Sequence, residues 1–345
     1  MECGFQIITD STCDLPKSWV AAHPYVTVVD VPVMVTRGNE SHTFRNLGPD
    51  DFGKVEERVK EGFRASTSHP LMRAADLDGT GNPNDDTPKS VEEIVHENVM
   101  AGKDVIYVVM NGALSSAYDN ATPLFEELQQ RYKGRGRRII CVDSHCMSTG
   151  LALLLCDIAD GIEKGTLKDV GQVAKFVEDM RGHIGHYFTW GELSYIKKSG
   201  RVSAVQAMIG TILGVRLLCS AQYCKDGLRR LEHVTPSRSS MLKVRGINKW
   251  AEVVSIYAKR HIADDTGTII VAHGNVPRDM EIIRKRLKDY LPAAKILYGE
   301  EWRCGAGIQA HGGPTSIHVN FHIDEVESLD RTIEEFEDIV RNLNR

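Results

Sequence analysis

Five segments bring hydroxyls, carboxylates, an imidazole and glycines close together in the 345-residue chain. In Thr9–Pro16 (TDSTCDLP), five of the first six positions carry short polar side chains, more than a helix cap needs. Ser66–Pro70 (STSHP) is a hydroxyl-rich turn that can hold a small anion or carboxylate. Asn111–Tyr118 (NGALSSAY) places Ser115 and Ser116 where a helix begins, with its free N–H groups. Lys197–Ser203 (KKSGRVS) sets three cations around a glycine, suited to anion contact or partner docking. Gly305–Thr315 (GAGIQAHGGPT) reads as a glycine-rich loop in which the backbone can approach a ligand and His311 has little packing reason to exist. The shared chemistry is the binding of a small anionic group by hydroxyl, imidazole and backbone donors.

Several other chemistries fail on spacing. GxGxxG, GxxxxGK[ST], HExxH and GxSxG are all absent. Asp76–Pro88 (DLDGTGNPNDDTP) superficially resembles a calcium loop, but its glycine is displaced and no glutamate closes it. The eight cysteines show neither a CxxC pair nor a repeated Cys/His spacing, so no metal site is expected and the thiols read as reduced. Net charge is −5 and Arg135, Arg137 and Arg138 form the densest cationic stretch, which reads as a solvated turn; no nucleic-acid partner is expected. No signal peptide and no apolar run of spanning length is visible, so a cytoplasmic protein with no integral membrane segment is expected.

These segments need a scaffold. Phe5–Thr9, Asp104–Met110 and Arg138–Val142 are apolar strand runs, each followed by a helical stretch. That alternation predicts a mostly parallel sheet covered by helices, with ligands at the carboxyl ends of the strands. Val26–Val35 reads as one bent or edge strand broken by Pro32. Ser90, followed by Glu93, predicts a capping box. In the second half, strands are expected at 187–189, 215–221, 227–233, 268–272, 295–298 and 316–321, with a hairpin turning at Lys225-Asp226-Gly227. Helices are expected at 192–198, 204–213, 237–261 and 278–291, with a charged helix at the chain end. The fold class is α/β in two domains: residues 1–183 with a mostly parallel sheet, and 184–345 with a mixed or antiparallel sheet and a terminal helix.

The order of these motifs resembles the DegV family, whose members typically read TDSTxDLP, TSxPS, SSGLSGTY, DSxxxSxG, DLxYLKxGGRIS and GxHxGPG. Here they stand as Thr9–Pro16, Thr67–Pro70, Asn111–Tyr118, Asp143–Gly150, Glu192–Ser203 and Gly307–Thr315. The resemblance implies a long-chain fatty acid in a tunnel between the domains, with no catalysis by the chain itself and no cofactor. It also implies a partner, the ATP-binding subunit of a bacterial fatty acid kinase, to which the acid is presented for acyl-phosphate formation. By the same resemblance the carboxylate falls on Thr67, Ser115, His311 and Thr315, with Arg201, Ser11, Ser68 and Ser116 as further head-group or partner contacts. Met208–Leu218 and Leu151–Ile158 become candidates for the tunnel wall. The chain departs from the pattern at Asn111-Gly112, Ser116-Ala117, His69 and Ser199, and 76–88 reads as an insertion.

Two other classes stay open. Ser115 with His311 could form a nucleophile–base pair of a small-molecule hydrolase, oriented by Asp10, Asp14 or Asp143. A regulatory module with lipid as a structural plug is the third.

Overall fold

A computed structural model describes residues 3–73, 89–112, 114–192, 195, 215–220, 241–324 and 329–345. In the first half, β1 (Phe5–Asp10), β2 (Val26–Val29), β6 (Asp104–Val109) and β7 (Ile139–Asp143) form a parallel sheet in the order β2-β1-β6-β7. Its strands are buried on both faces, which is why they read as continuous apolar runs. Phe5, Ile7, Ile106 and Val108 pack against the helices Ser148–Glu163 and Val170–Met180. Ile8, Tyr107 and Val109 face the opposite way, onto the helices Val91–Met100 and Ala117–Arg131. The period of two in the strands decides which side chain goes where. The capping box forms as expected: Ser90 Oγ accepts from Glu93 N at 3.2 Å and the Glu93 carboxylate accepts from Ser90 N at 2.8 Å.

In the second half, β8 (Ile184–Thr189), β9 (Val215–Ser220), β10 (Met241–Arg245), β11 (Thr268–His273), β12 (Lys295–Leu297) and β13 (Ile317–His322) form one sheet, ordered β10-β9-β8-β13-β11-β12. Its pairs are antiparallel except β11 with β12. Ile317, Val319 and Phe321 join Trp250, Tyr257, Ile283 and Leu287 in a core under the helices Gly246–His261 and Pro277–Tyr290. His318 and Asn320 point to the other face, where Thr149 of Ser148–Glu163 donates to Asn320 Oδ1 at 2.7 Å. That helix is apolar nearly all round (Leu151 to Leu155 and Ile158 are buried) because it lies between the two sheets. The architecture is therefore the expected mixed α/β fold. Among the described residues no helix is long and apolar enough to cross a membrane.

Four expectations need correction. Val26–Val35 is two strands in two sheets: Pro32 has no N–H to give a ladder, and past it β3 (Val33–Arg37) joins β4 (Glu40–Phe44) and β5 (Arg64–Thr67) in a small antiparallel sheet ordered β4-β3-β5. Ser66–Pro70 is consequently not all turn, because Arg64–Thr67 pairs with Val33–Thr36. The stretch expected as one helix from Ser237 to His261 contains β10, since pairing with β9 overrides local helical pattern, and Gly246 at φ 75° starts the helix proper. Gly305–Thr315 is mainly a short helix, Ala306–Gly312, whose apolar residues are buried. Val215–Ser220 lies antiparallel between β10 and β8, while the expected strand 227–233, the loop 76–88, the helix 204–213 and all of the helix expected at 192–198 except residues 192 and 195 lie outside the described residues.

Candidate functional site

The carboxyl end of β1 begins the site. Asp10 Oδ1 accepts from Thr12 N at 2.9 Å and from the Thr12 hydroxyl, which turns the chain into a 3-10 turn, Ser11–Cys13. Ser11 Oγ accepts from Val31 N at 2.9 Å, fixing the link between β2 and β3. Asp14 follows at φ 53°, a left-handed conformation that costs energy for a residue with a Cβ. Its carboxylate reaches two distant helix starts: Oδ1 accepts from Gly305 N at 2.7 Å and Oδ2 from Ser148 Oγ at 2.5 Å. Ser148 itself sits at φ 49°. Burial pushes the Asp14 carboxyl up to about 7, against the pull of the Ser148 and Gly305 hydrogen bonds.

The helix Ala306–Gly312 then brings His311 to the end of β5. His311 Nε2 lies 2.9 Å from Thr67 Oγ1, a contact between residues 244 positions apart. Gly307, one turn before His311 on the same face, leaves room there: a Cβ on it would stand 3.6 Å from the Thr12 methyl and 3.8 Å from the Thr67 methyl. Thr12, Thr67, Gly307 and His311 therefore share one neighbourhood, and Thr67 and His311 are half-buried. The helix ends at Gly313, φ 75°, packed so tightly on the Tyr195 ring that a Cβ would meet it at 2.7 Å. Thr315 lies just beyond. Its Oγ1 accepts from Gly191 N at 3.1 Å and Glu192 N at 2.9 Å, leaving its own hydroxyl proton to donate.

Ser115 stands at the end of the loop after β6. Its Oγ accepts from Ala117 N at 3.2 Å, so this hydroxyl serves its own helix start, while its proton remains available. Ser116 is exposed and caps nothing with its side chain. The loop is closed onto β7: Gly112 N donates to both carboxylate oxygens of Asp143 at 3.1 Å, and a Cβ on Gly112 would meet Asp143 Oδ2 at 2.7 Å. Ser68 N donates to Pro32 O at 2.9 Å. Arg201 lies outside the described residues.

Of the expected site residues, the geometry joins Thr67 to His311 and sets Ser11 in the segment that carries Thr12 and Asp14. Thr315 is held separately by Gly191 and Glu192. Two residues that motif reading undervalued are prominent. Asp14 was legible as part of TDSTCDLP, but its reach across 291 positions to Gly305 was not. Arg216 was legible as a lone cation in the apolar run VRLLCS.

Comparison with known proteins fits this frame. A family model described as an uncharacterised protein of the DegV family matches residues 4–322. A DegV domain-containing protein of Clostridium perfringens is 25% identical over 327 residues, covering 94% of this chain and 99% of that protein. A solved DegV family protein of Eubacterium eligens, loaded with heptadecanoic acid, superposes with a TM-score of 0.69 at 14% identity over 93% of this chain and 100% of its own. A Thermotoga maritima protein whose structure is described as revealing fatty acid binding function gives 0.67 at 17% identity, over 94% and 100%. With the family model spanning nearly the whole chain, this protein belongs to the DegV family.

Proposed function

We propose that this protein binds a long-chain fatty acid, carboxylate first, in a tunnel between domains at residues 1–183 and 184–345. The head group is held by Thr67, Ser115, His311 and Thr315, with Ser11, Ser68, Ser116 and Arg201 around it. The observation that carries this reading is the Thr67–His311 contact at 2.9 Å, which sets a hydroxyl and an imidazole side by side in a half-buried place. Relatives of the same fold, loaded with heptadecanoic acid or described as fatty acid binding, support it. Hydroxyl and imidazole donors bind a carboxylate without the desolvation cost of a fully buried ion pair. The acyl chain adds about 0.8 kcal/mol for each buried CH2. The bound acid is then offered to the ATP-binding subunit of a fatty acid kinase, so that the chemistry is the partner's.

Native mass spectrometry of the purified protein, followed by extraction and lipid identification, tests the binding. A stoichiometric free acid is the expected result. Protein that carries no lipid and refuses added oleate sinks the reading. The partnership is tested by adding ATP, the loaded protein and candidate kinase subunits, and trapping acyl phosphate as hydroxamate; trapping that needs both proteins is expected.

A further inference from the structure

Arg216 interrupts the buried strand β9 with a charge. Its Nη2 is paired with Asp279, which projects from the helix Pro277–Tyr290, and its side chain is 14% exposed. Its other terminal nitrogen, Nη1, is buried and has no hydrogen-bond partner among the described residues. A guanidinium N–H left so is costly, and arginine does not escape by losing its proton. The direction in which Nη1 faces is informative. It lies 3.5 Å from where a Cβ on Gly191 would stand, and Thr315 Oγ1 lies 3.1 Å from the same point. Thr315 Oγ1 already accepts two backbone N–H groups, so what it has left is a donor. An arginine N–H and a threonine O–H therefore approach one residue that has no side chain, and among the described residues none accepts from Arg216 Nη1.

We infer that Arg216 and Thr315 together hold an anionic oxygen of the ligand's head group, Arg216 being the cationic contact of the site. This rests on the proposed reading that the ligand is a fatty acid, and it deepens that reading. The anionic oxygen belongs either to the carboxylate or to the phosphoryl group that is bonded to it after transfer. Asp279 takes up one nitrogen of the guanidinium and leaves the other to the ligand. Gly191 keeps the space over Thr315 open, since a Cβ there would press on the threonine at 3.0 Å.

The test uses the full, delipidated chain and three probes: oleate, methyl oleate and octadecylphosphonate. In the wild type, oleate is expected to bind well ahead of its methyl ester. Arg216→Met is expected to cut that preference by about tenfold, the scale of a hydrogen bond to a charged group, with methyl oleate little changed. Asp279→Asn keeps the arginine and should keep the preference. A loss confined to octadecylphosphonate assigns the oxygen to the phosphoryl group and also supports the inference. An Arg216→Met variant with both the oleate preference and octadecylphosphonate binding unchanged overturns it. So does an equal loss in Asp279→Asn, because the arginine would then act by bracing the helix. If the methionine variant does not fold, Arg216→Lys, which keeps a charge for Asp279 but lacks the second terminal nitrogen, carries the same expectation. A wild type that binds neither oleate nor the phosphonate overturns the fatty-acid reading itself, and the inference with it.

Discussion

Burial of Asp14 and of His318 makes stability depend on pH in opposite senses. Asp14 is pushed up to about 7 by burial, so between its ordinary value near 3.8 and 7 the folded chain holds a proton that the unfolded chain has released. Its contribution is therefore complete at low pH and is lost as pH rises through that window, at up to about 1.4 kcal/mol per pH unit. Asp14→Asn should remove this decline: in urea unfolding, the variant is expected to lose less stability than wild type between pH 5 and pH 8. The buried imidazoles act in the opposite sense. His186 Nε2 lies 3.0 Å from His318 Nδ1, and burial drops His318 to about 3 and His186 well below its usual range. Here the unfolded chain binds protons first, and stability is lost as pH falls below about 6.5. His318→Gln should flatten that acid limb while leaving the decline due to Asp14 as in the wild type. At the site itself, Thr67→Ala with His311→Ala should weaken oleate binding by about tenfold or more with the melting temperature little changed. Calorimetry showing wild-type affinity in that double variant would remove the head-group assignment.

At the scale of elements, the turn before β13 carries Thr315 and is pinned to the end of β11. Gly274 N donates to Ser316 O at 2.9 Å and Asn275 N to Pro314 O at 2.5 Å. A Cβ on Gly274 would meet the Pro314 carbonyl oxygen at 2.5 Å, a backbone atom that cannot swing aside. Gly274→Ala is thus expected to cost about 1–3 kcal/mol and to displace Thr315, read as a lower melting temperature together with weaker oleate binding. How legible such elements were follows from their burial. The strands of the parallel sheet announced themselves because both faces are covered; Ile7, Ile106 and Val108 leave no ambiguity. The small sheet did not. Glu40–Phe44 (ESHTF) is largely exposed and Arg64–Thr67 (RAST) is half polar, so neither shows the apolar signal of a strand. The helix Ala306–Gly312 was hidden by its glycines, which serve close packing against Thr12, Thr67 and Trp190 rather than flexibility. Motif order pointed to Thr67 and His311. Spacing alone could not say that these two meet, nor that Arg216 faces Gly191, because those contacts depend on how distant segments fold together.

At the scale of the molecule, among the described residues no sheet mixes the two halves of the chain: the parallel and small sheets end by Asp143, and the six-stranded sheet begins at Ile184. They are joined by the buried helix Ser148–Glu163, by the helix Ala306–Gly312, whose Ala306 and Ala310 pack with Val33, Val35 and Phe52, and by long-range polar contacts such as Arg303 with Asp50. The contact of Asp14 with Gly305 has a consequence in time. The two are separated by 291 positions, so during synthesis the carboxylate waits about 15–60 s for its partner N–H. His311 and Thr315 arrive later still. Ribosome-arrested chains of residues 1–300 are therefore expected to retain no labelled oleate, whereas released full-length chains do. On the proposed reading, the cell's lipid would then be withheld from unfinished copies, because His311 and Thr315 are made well after Thr67 and Ser115.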